Sequence, residues 1–306
     1  MRRESGVAAV TAILIVAVAA SAAAVMLAQQ SAMLDQSMLV AARAQADLYA
    51  QAGLDWARGV LLEDARNTRT DTLKEPWAQP IAGLPVERAV VAGDIADEQG
   101  KFNLNNLVDA TRRSDPDMRA FGRLLASLGL APELADAVLD WVDPDTDLSG
   151  NGGAEDPYYL ALPHPYRAPN GPMTQIEELY RIRGFDSAAV AKLKPYVTAL
   201  PTRTLLNVNT ASDLVLAAVL DVPRDKAAEL VALRDKEPFA NLQDFGDRAR
   251  KAGIASVPAT LSAASDFFSV RVQVAQDDVQ LAIEALVQRQ SQPRIGTFVV
   301  WRRSRY

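Results

Sequence analysis

Residues 5–34 contain no charged side chain, and apolar positions fill most of that stretch. The run exceeds the roughly 20 apolar residues that a helix needs to cross a hydrocarbon core. Arg2 and Arg3 precede it, and by the positive-inside rule they keep the N-terminus cytoplasmic and export the rest. Ala20-Ser21-Ala22 also supplies the small-x-small site of a cleavable secretory signal, while a plain anchor would need nothing further. Past Leu27 helical spacing continues but membrane polarity does not. Leu34, Met38, Ala41, Leu48, Ala52, Trp56 and Val60 recur at helical steps, with Arg43, Gln45, Asp47, Gln51, Asp55 and Arg58 between them. This predicts one helix of about 55 residues that leaves the bilayer as an amphipathic stem. No proline interrupts it before Pro76, and only Gly53 and Gly59 weaken it.

Residues 64–85 are polar and carry Pro76, Pro80 and Pro85, which predicts a loop leaving the stem. Period-two alternation follows at residues 86–91 and again around Phe102-Asn103-Leu104, predicting a hairpin with its turn at Asp97-Glu98-Gln99-Gly100. Near the C-terminus Phe268, Val270, Val272 and Val274 alternate with polar residues, as do Val279, Leu281 and Ile283, and residues 295–301 form a third run. Asp277-Asp278 and Ser291-Gln292-Pro293 read as the turns between them. Residues 105–264 have helical periodicity throughout, and a sheet split by a helical block predicts an inserted domain. Three stretches of the block resemble one another as helix, tight hairpin, helix, with hairpins near Gly129, Gly184 and Asp221.

Composition narrows the chemistry. The chain is 49% hydrophobic and 23% charged, which makes it globular. It has no cysteine and one histidine, His164, between two prolines, which removes thiolate zinc sites, disulfides and most His-dependent catalysis. A net charge of −6 disfavours a phosphate-tracking surface. Gly93 to Lys101 superficially recapitulates a phosphate loop but lacks Ser or Thr after the lysine, and no Gly-x-Ser-x-Gly is present. Glu177-Glu178 read as the solvated face of a helix. No enzymatic constellation is expected.

The most specific local signal is residues 140–156, where Asp143, Asp145 and Asp147 alternate on a Gly-rich segment. Like charges that close repel unless a cation sits among them. Calcium suits such a loop, because it accepts six to eight oxygens and tolerates irregular geometry. The first, third and fifth positions of an EF-hand loop are matched, but Leu148 stands at the sixth where glycine is required, and the twelfth-position acid is displaced to Glu155.

A basic leader ending in Gly6, an apolar run from Val7 and a long amphipathic continuation resemble the class III leaders of type IV pilins and type II secretion pseudopilins. The resemblance implies cleavage between Gly6 and Val7 by a prepilin peptidase and methylation of the new N-terminus. At the fifth mature position most such pilins carry Glu, and here Thr11 stands there. That departure resembles the K component of type II secretion, a minor pseudopilin. The likeness extends through residues 97–105, 140–156, 166–173 and 206–211. It implies an α+β fold, in which a long N-terminal helix and a pilin-like antiparallel sheet are interrupted by a large all-α insert with helix-hairpin-helix-like repeats. The implied boundaries are a leader at 1–6, a transmembrane helix at 7–27, a stem at 28–66, a first pilin-like part at 67–104, a calcium-binding insert at 105–265 and C-terminal strands at 266–306.

The resemblance further implies structural calcium held by ligands chosen from Asp143, Asp145, Asp147, Glu155 and Asp156, with Asn170 joining from a distance. It implies that Leu34, Met38, Ala41, Leu48, Ala52 and Trp56 pack against the stems of the I and J minor pseudopilins and other pseudopilus subunits. The function implied is capping and initiating the periplasmic pseudopilus from the inner membrane. The rival reading is a membrane-anchored DNA-uptake protein, because Leu206-Asn207-Val208-Asn209-Thr210-Ala211 and Pro238-Phe239-Ala240-Asn241-Leu242 are similar to helix-hairpin-helix modules. Here the hairpin is Leu220-Asp221-Val222-Pro223-Arg224. It lacks the glycines, Pro223 has no N–H to donate and Asp221 would repel a phosphate, so no nucleic acid is expected.

Overall fold

The computed structural model describes residues 4–290 and 295–305; Met1 to Arg3 of the leader and the expected turn at Ser291-Gln292-Pro293 lie outside them. One helix, α1 (Glu4–Asn67), runs 64 residues without a break. Its N-terminal part holds a window of mean hydropathy 2.6, none of it buried in the chain. Along the lower stem Ala46, Ala50, Leu54, Ala57 and Leu61 are buried at steps of three and four residues. These are the stem's contribution to the chain's own core, together with Trp77, Phe268, Val270, Val272, Ile283 and Val287. Mostly small residues on that face let the helix lie close to the sheet. A Cβ on Gly53 would come within 2.8 Å of a Val272 methyl, so Gly53 marks close approach rather than a weak point in the helix.

The sheet has five strands in the order β1-β2-β9-β10-β11, all antiparallel. They are β1 (Ile81–Val86), β2 (Ala89–Asp97), β9 (Phe267–Gln276), β10 (Val279–Gln290) and β11 (Gly296–Arg305). Alternation in β9 is the reason it has a buried face: Val270, Val272 and Val274 face α1 while Arg271 and Gln273 are exposed. The expected C-terminal strands and the Asp277-Asp278 turn are present.

The first hairpin differs from expectation. Its turn is Glu87-Arg88, not residues 97–100, and all of β1 except Val86 lies inside the stretch expected to be a loop. Glu87 has φ +50°, a conformation that Asn or Gly usually supplies, so the turn carried no compositional signal. Tertiary contacts hold it instead. The Tyr49 hydroxyl of the stem donates to Glu87 Oε2 at 2.8 Å, and Arg88 pairs with Asp277 at 3.0 Å. Phe102-Asn103 forms no part of the sheet.

Between β2 and β9 lies the helical insert, with a separate core. Its elements are β3 (Phe102–Asn103), β4 (Val108–Asp109), β5 (Arg112–Arg113), α2 (Asp115–Ser127), α3 (Leu134–Val142), α4 (Asp156–Tyr159), α5 (Ser187–Leu193), β6 (Val197–Thr198), β7 (Leu206–Asn207), α6 (Asp213–Leu220), α7 (Arg224–Lys236), α8 (Leu242–Lys251) and β8 (Leu261–Ser262). Two subunits of this body close in the same way: β3 pairs in parallel with β6, and β7 in parallel with β8. Each opens on an Asn-x-Asn segment with the same bonding. The first Asn accepts from the backbone N–H two residues on, at 3.2 Å for Asn103 and 2.9 Å for Asn207. The second exchanges two bonds with a distant backbone, Asn105 with Met173 and Asn209 with Phe239. Gly129, Gly184 and Asp221 all have positive φ at the three expected hairpins. Before Gly184 the element is a six-residue 3-10 helix, Ile176–Arg181, in place of an α-helix. Glu178 in it is not a solvated side chain: its carboxylate accepts from the Trp141 indole at 3.0 Å and from Thr174 N at 2.7 Å.

Candidate metal centre and the exposed stem

The acidic loop springs from the C-terminal end of α3, whose residues 135–142 are all either buried or, at Asp136, turned toward the loop. Asp136 and Asp140 stand one helical turn apart on one face. Asp140 is fully buried and accepts from Ser149 N at 3.0 Å, while Asp136 accepts from Gly152 N at 3.4 Å. Side chains on Gly150, Gly152 or Gly153 would collide with Asp136, the Glu133 carbonyl and Asp140 respectively. The glycines therefore let the loop lie flat on α3. Arg183 closes its far side, donating to the Gly153 carbonyl at 2.8 Å. Asp136 lies outside the acidic segment read from the sequence, and Asp140 opens that segment without being counted among its ligands; their four-residue spacing on the preceding helix is the signal that finds them as a structural pair.

The expected ligands divide into two groups. Asp143 and Glu155 are buried, and Asn170 is half-buried. One oxygen of each, Asp143 Oδ1, Glu155 Oε1 and Asn170 Oδ1, is buried without a hydrogen-bond partner among the described residues. Asn170 reaches the group by donating Nδ2 to the Asp145 carbonyl at 2.6 Å and to Glu155 Oε2 at 3.5 Å. Burial pushes the Asp143 carboxyl up to about 7, with Asp145, Asp140 and Glu155 adding repulsion. Burial also pushes Glu155 up to about 7, with Asp140 the next cause. Asp145 is exposed and supplies the carbonyl that holds Asn170. Asp147 is exposed and, among the described residues, its bond is the N–H donated to Asp145 Oδ1 at 2.9 Å. Asp156 is turned elsewhere: Oδ1 accepts from Ala168 N at 3.1 Å and Oδ2 lies 3.5 Å from Arg167.

Buried oxygens without donors are costly unless something positive completes them. Three hard oxygen donors of this kind, two of them carboxylates, suit a calcium ion and offer no nitrogen or sulfur to a softer metal. Another carboxylate group, Asp64, Asp71 and Glu75, comes within 4.8 Å oxygen to oxygen. There the cation is built in. Arg289 donates to Asp64 at 2.6 Å and to both oxygens of Asp71 at 2.6 Å, and Glu75 accepts from the Trp77 indole at 2.6 Å.

The stem stripe read from the sequence lies on a face other than the one that packs the sheet. Leu34, Met38, Ala41, Leu48, Ala52 and Trp56 are all exposed, Leu48 at 68% and Trp56 at 52%. Ala52 and Trp56 line an apolar groove of about 330 Å³ between the stem and the β1–β2 hairpin. Gly6 and Val7 both fall within α1. Thr11 satisfies its own hydroxyl by donating to the Val7 carbonyl at 2.8 Å. At the Asp221 hairpin, charges are paired internally: Arg123 lies 3.4 Å from Asp221, and Arg224 pairs with Asp213 at 2.6 Å.

Comparison with known proteins agrees with this architecture. Two family models, both described as type II secretion system protein K, match residues 100–202 and 206–271, the two halves of the insert. A type II secretion system protein K from Pseudomonas aeruginosa is 34% identical over 301 residues, covering 94% of this chain and 90% of that one. One from Aeromonas hydrophila is 30% identical over 310 residues, covering 94% of each. The fold is similar to a chain in the crystal structure of the GspK-GspI-GspJ complex from the enterotoxigenic Escherichia coli type 2 secretion system. That match has a TM-score of 0.73 at 26% identity and covers 86% of this chain and 97% of that one. With a 64-residue apolar-to-amphipathic helix, a five-stranded sheet packed on its stem and a two-part helical insert, this chain belongs to the type II secretion system protein K family.

Proposed function

We propose that this chain caps and initiates the pseudopilus together with the I and J minor pseudopilins, its N-terminal helix anchored once in the inner membrane and its sheet and insert in the periplasm. The observation that carries the reading is the division of the stem into two faces. One face, from Ala46 to Leu61, is consumed by the chain's own sheet. The other, from Leu34 to Trp56, leaves large apolar side chains exposed along a helix that continues from an uncharged, membrane-length segment. Such a stripe suits helix-to-helix packing with neighbouring stems. A Thr11 that needs no partner fits a subunit that does not pair in the manner of Glu-bearing pilins, and the bulk of the insert opposes stacking within a filament. The similarity to a chain crystallised with GspI and GspJ supports the same partners.

Cleavage between Gly6 and Val7, methylation of Val7 and structural calcium at Asp143, Glu155 and Asn170 belong to this reading. Calcium would supply positive charge to those oxygens and order the loop, a stabilising role with no catalytic step. The helix-hairpin-helix description of the insert likewise serves packing. Arg234 of α7, for example, is buried and donates to the Val208 carbonyl at 3.0 Å. Photo-crosslinking from Leu48 in cells tests the assembly reading. Adducts with the I and J pseudopilins are expected, and crosslinks to lipid alone or to no pseudopilin would refute it.

A further inference from the structure

Where the stem crosses the sheet, its two flanks differ in character. On the β11 flank its side chains are polar and already engaged. Asp47 and Gln51 accept from Arg302 at 2.6 and 2.9 Å, and Arg58 pairs with Asp55 at 2.9 Å and donates to the Thr297 carbonyl at 3.0 Å. On the β1 flank they are apolar. Tyr49, Ala52 and Trp56 form one wall of the groove of about 330 Å³, and Leu84 and Val86 of β1 form the other. Leu84 stands opposite Val91, which packs against the core beneath the stem, so Leu84 lies on the stem-facing side of the sheet. The stem does not cover it: Leu84 is 55% exposed. With Trp56 exposed on the other lip, the groove presents large apolar side chains on both sides, a surface built to be covered.

Three features of the groove select its occupant. Asp35 is the first charged residue past the apolar run, and a helical rise of about 1.5 Å per residue sets Tyr49 roughly 20 Å beyond it, out of reach of the bilayer's acyl chains. The hairpin wall refuses an added strand, because β1 follows Pro80, carries Pro85 with no N–H to give, and loses register between Ile81 and Leu84. The stem wall favours a helix: Ala52 and Trp56 also belong to the exposed stem stripe, so a helix lying along that stripe passes over the mouth of the groove.

We propose that the groove between the stem and the β1–β2 hairpin is a socket for a bulky apolar side chain on the stem helix of a neighbouring minor pseudopilin. The socket rests on the assembly reading above and extends its partner surface from the helix to Leu84 and Val86, so that the hairpin grips the neighbour as well.

Photo-crosslinking in cells, on the full chain, separates the socket from the reading it rests on. Benzoylphenylalanine replaces Leu84 in one strain, Leu48 in a second and Val90, exposed on the opposite face of the sheet, in a third. Leu84 and Leu48 are both expected to give adducts with the I or J pseudopilin, and Val90 little or none. Pseudopilin adducts from Leu48 without any from Leu84, lipid adducts alone from Leu84, or equal adducts from Val90 would overturn the socket and leave the assembly reading standing. No pseudopilin adduct from either leucine would overturn both. As a second readout, Leu84→Glu should lower co-purification of the neighbour about ten-fold, because it places a charge in an apolar socket. The melting temperature of the chain alone should move by about a degree or less, since Leu84 is exposed there. Undiminished co-purification with Leu84→Glu, beside a loss with Leu48→Glu, would likewise overturn the socket.

Discussion

Asn170 donates its amide to the Asp145 carbonyl at 2.6 Å, which leaves its own buried oxygen without a donor, as are Asp143 Oδ1 and Glu155 Oε1. This relationship sorts the acidic residues of the loop by role. If calcium completes those oxygens, adding it at about one hundred times its dissociation constant stabilises the folded chain by about 2.7 kcal/mol. That corresponds to a rise of roughly 5 °C or more in melting temperature. Asp143→Asn and Glu155→Gln are expected to abolish most of the rise, whereas Asp156→Asn, whose oxygens serve Ala168 and Arg167, should keep it. Differential scanning fluorimetry with and without chelator reads the outcome; an equal loss in Asp156→Asn would show that the sorting is wrong.

pH should move the metal-free and calcium-loaded chains in opposite directions. Asp143 and Glu155 are raised to about 7 in the metal-free fold, above their ordinary values of 3.8 and 4.5. The folded state then binds more protons than the unfolded state between those limits, so metal-free stability rises as pH falls from about 8 to 5. Calcium requires the ionised forms, so its stabilisation fades over the same fall. Melting curves at several pH values, with chelator and with calcium, should converge at acid pH. Asp143→Asn should flatten the metal-free trend.

The stem offers a contrast between two leucines six residues apart. Leu48 is 68% exposed and Leu54 is 1% exposed. Leu48→Glu is expected to leave the melting temperature of the isolated chain within a degree or two while weakening co-purification of the I and J pseudopilins. Leu54→Ala removes packing against the sheet and should cost about 2–5 kcal/mol. Loss of partner binding only in Leu54→Ala would place the partner surface elsewhere.

Where side-chain period alone determines structure, the sequence was readable. The stem helix and the alternation of Val270, Val272 and Val274 follow from burial of one face, and the acidic loop follows from like charges at alternate positions. Features set by distant contacts were not readable. The Glu87-Arg88 turn exists because Tyr49 and Asp277 hold it from other elements. Which carboxylates are buried together depends on Asn170 arriving from beyond α4, and the stem's own packing face was hidden because alanine carries little hydrophobic signal. Phe102-Asn103 alternated like a strand of the main sheet, yet its partner is Val197-Thr198 in the insert.

The Asn209 bond pair allows a test of the two Asn-x-Asn segments of the insert. Its Nδ2 donates to the Phe239 carbonyl and its Oδ1 accepts from Phe239 N, both at 2.9 Å and fully buried. Alanine there removes two bonds and strands two buried backbone groups, each costing about 1–3 kcal/mol. Aspartate keeps the acceptor but loses the donor and buries a charge, so it should be at least as damaging. Asn105 stands in the same relation to Met173, at 2.8 Å in both directions. Asn105→Ala should therefore cost a similar amount, read as a lowered urea midpoint. Because Met173 follows Asn170 by three residues, Asn105→Ala should also weaken calcium binding, and Asn209→Ala should not. Equal calcium affinity in the two variants would mean that the first half of the insert holds its loop without help from the Asn105 anchor.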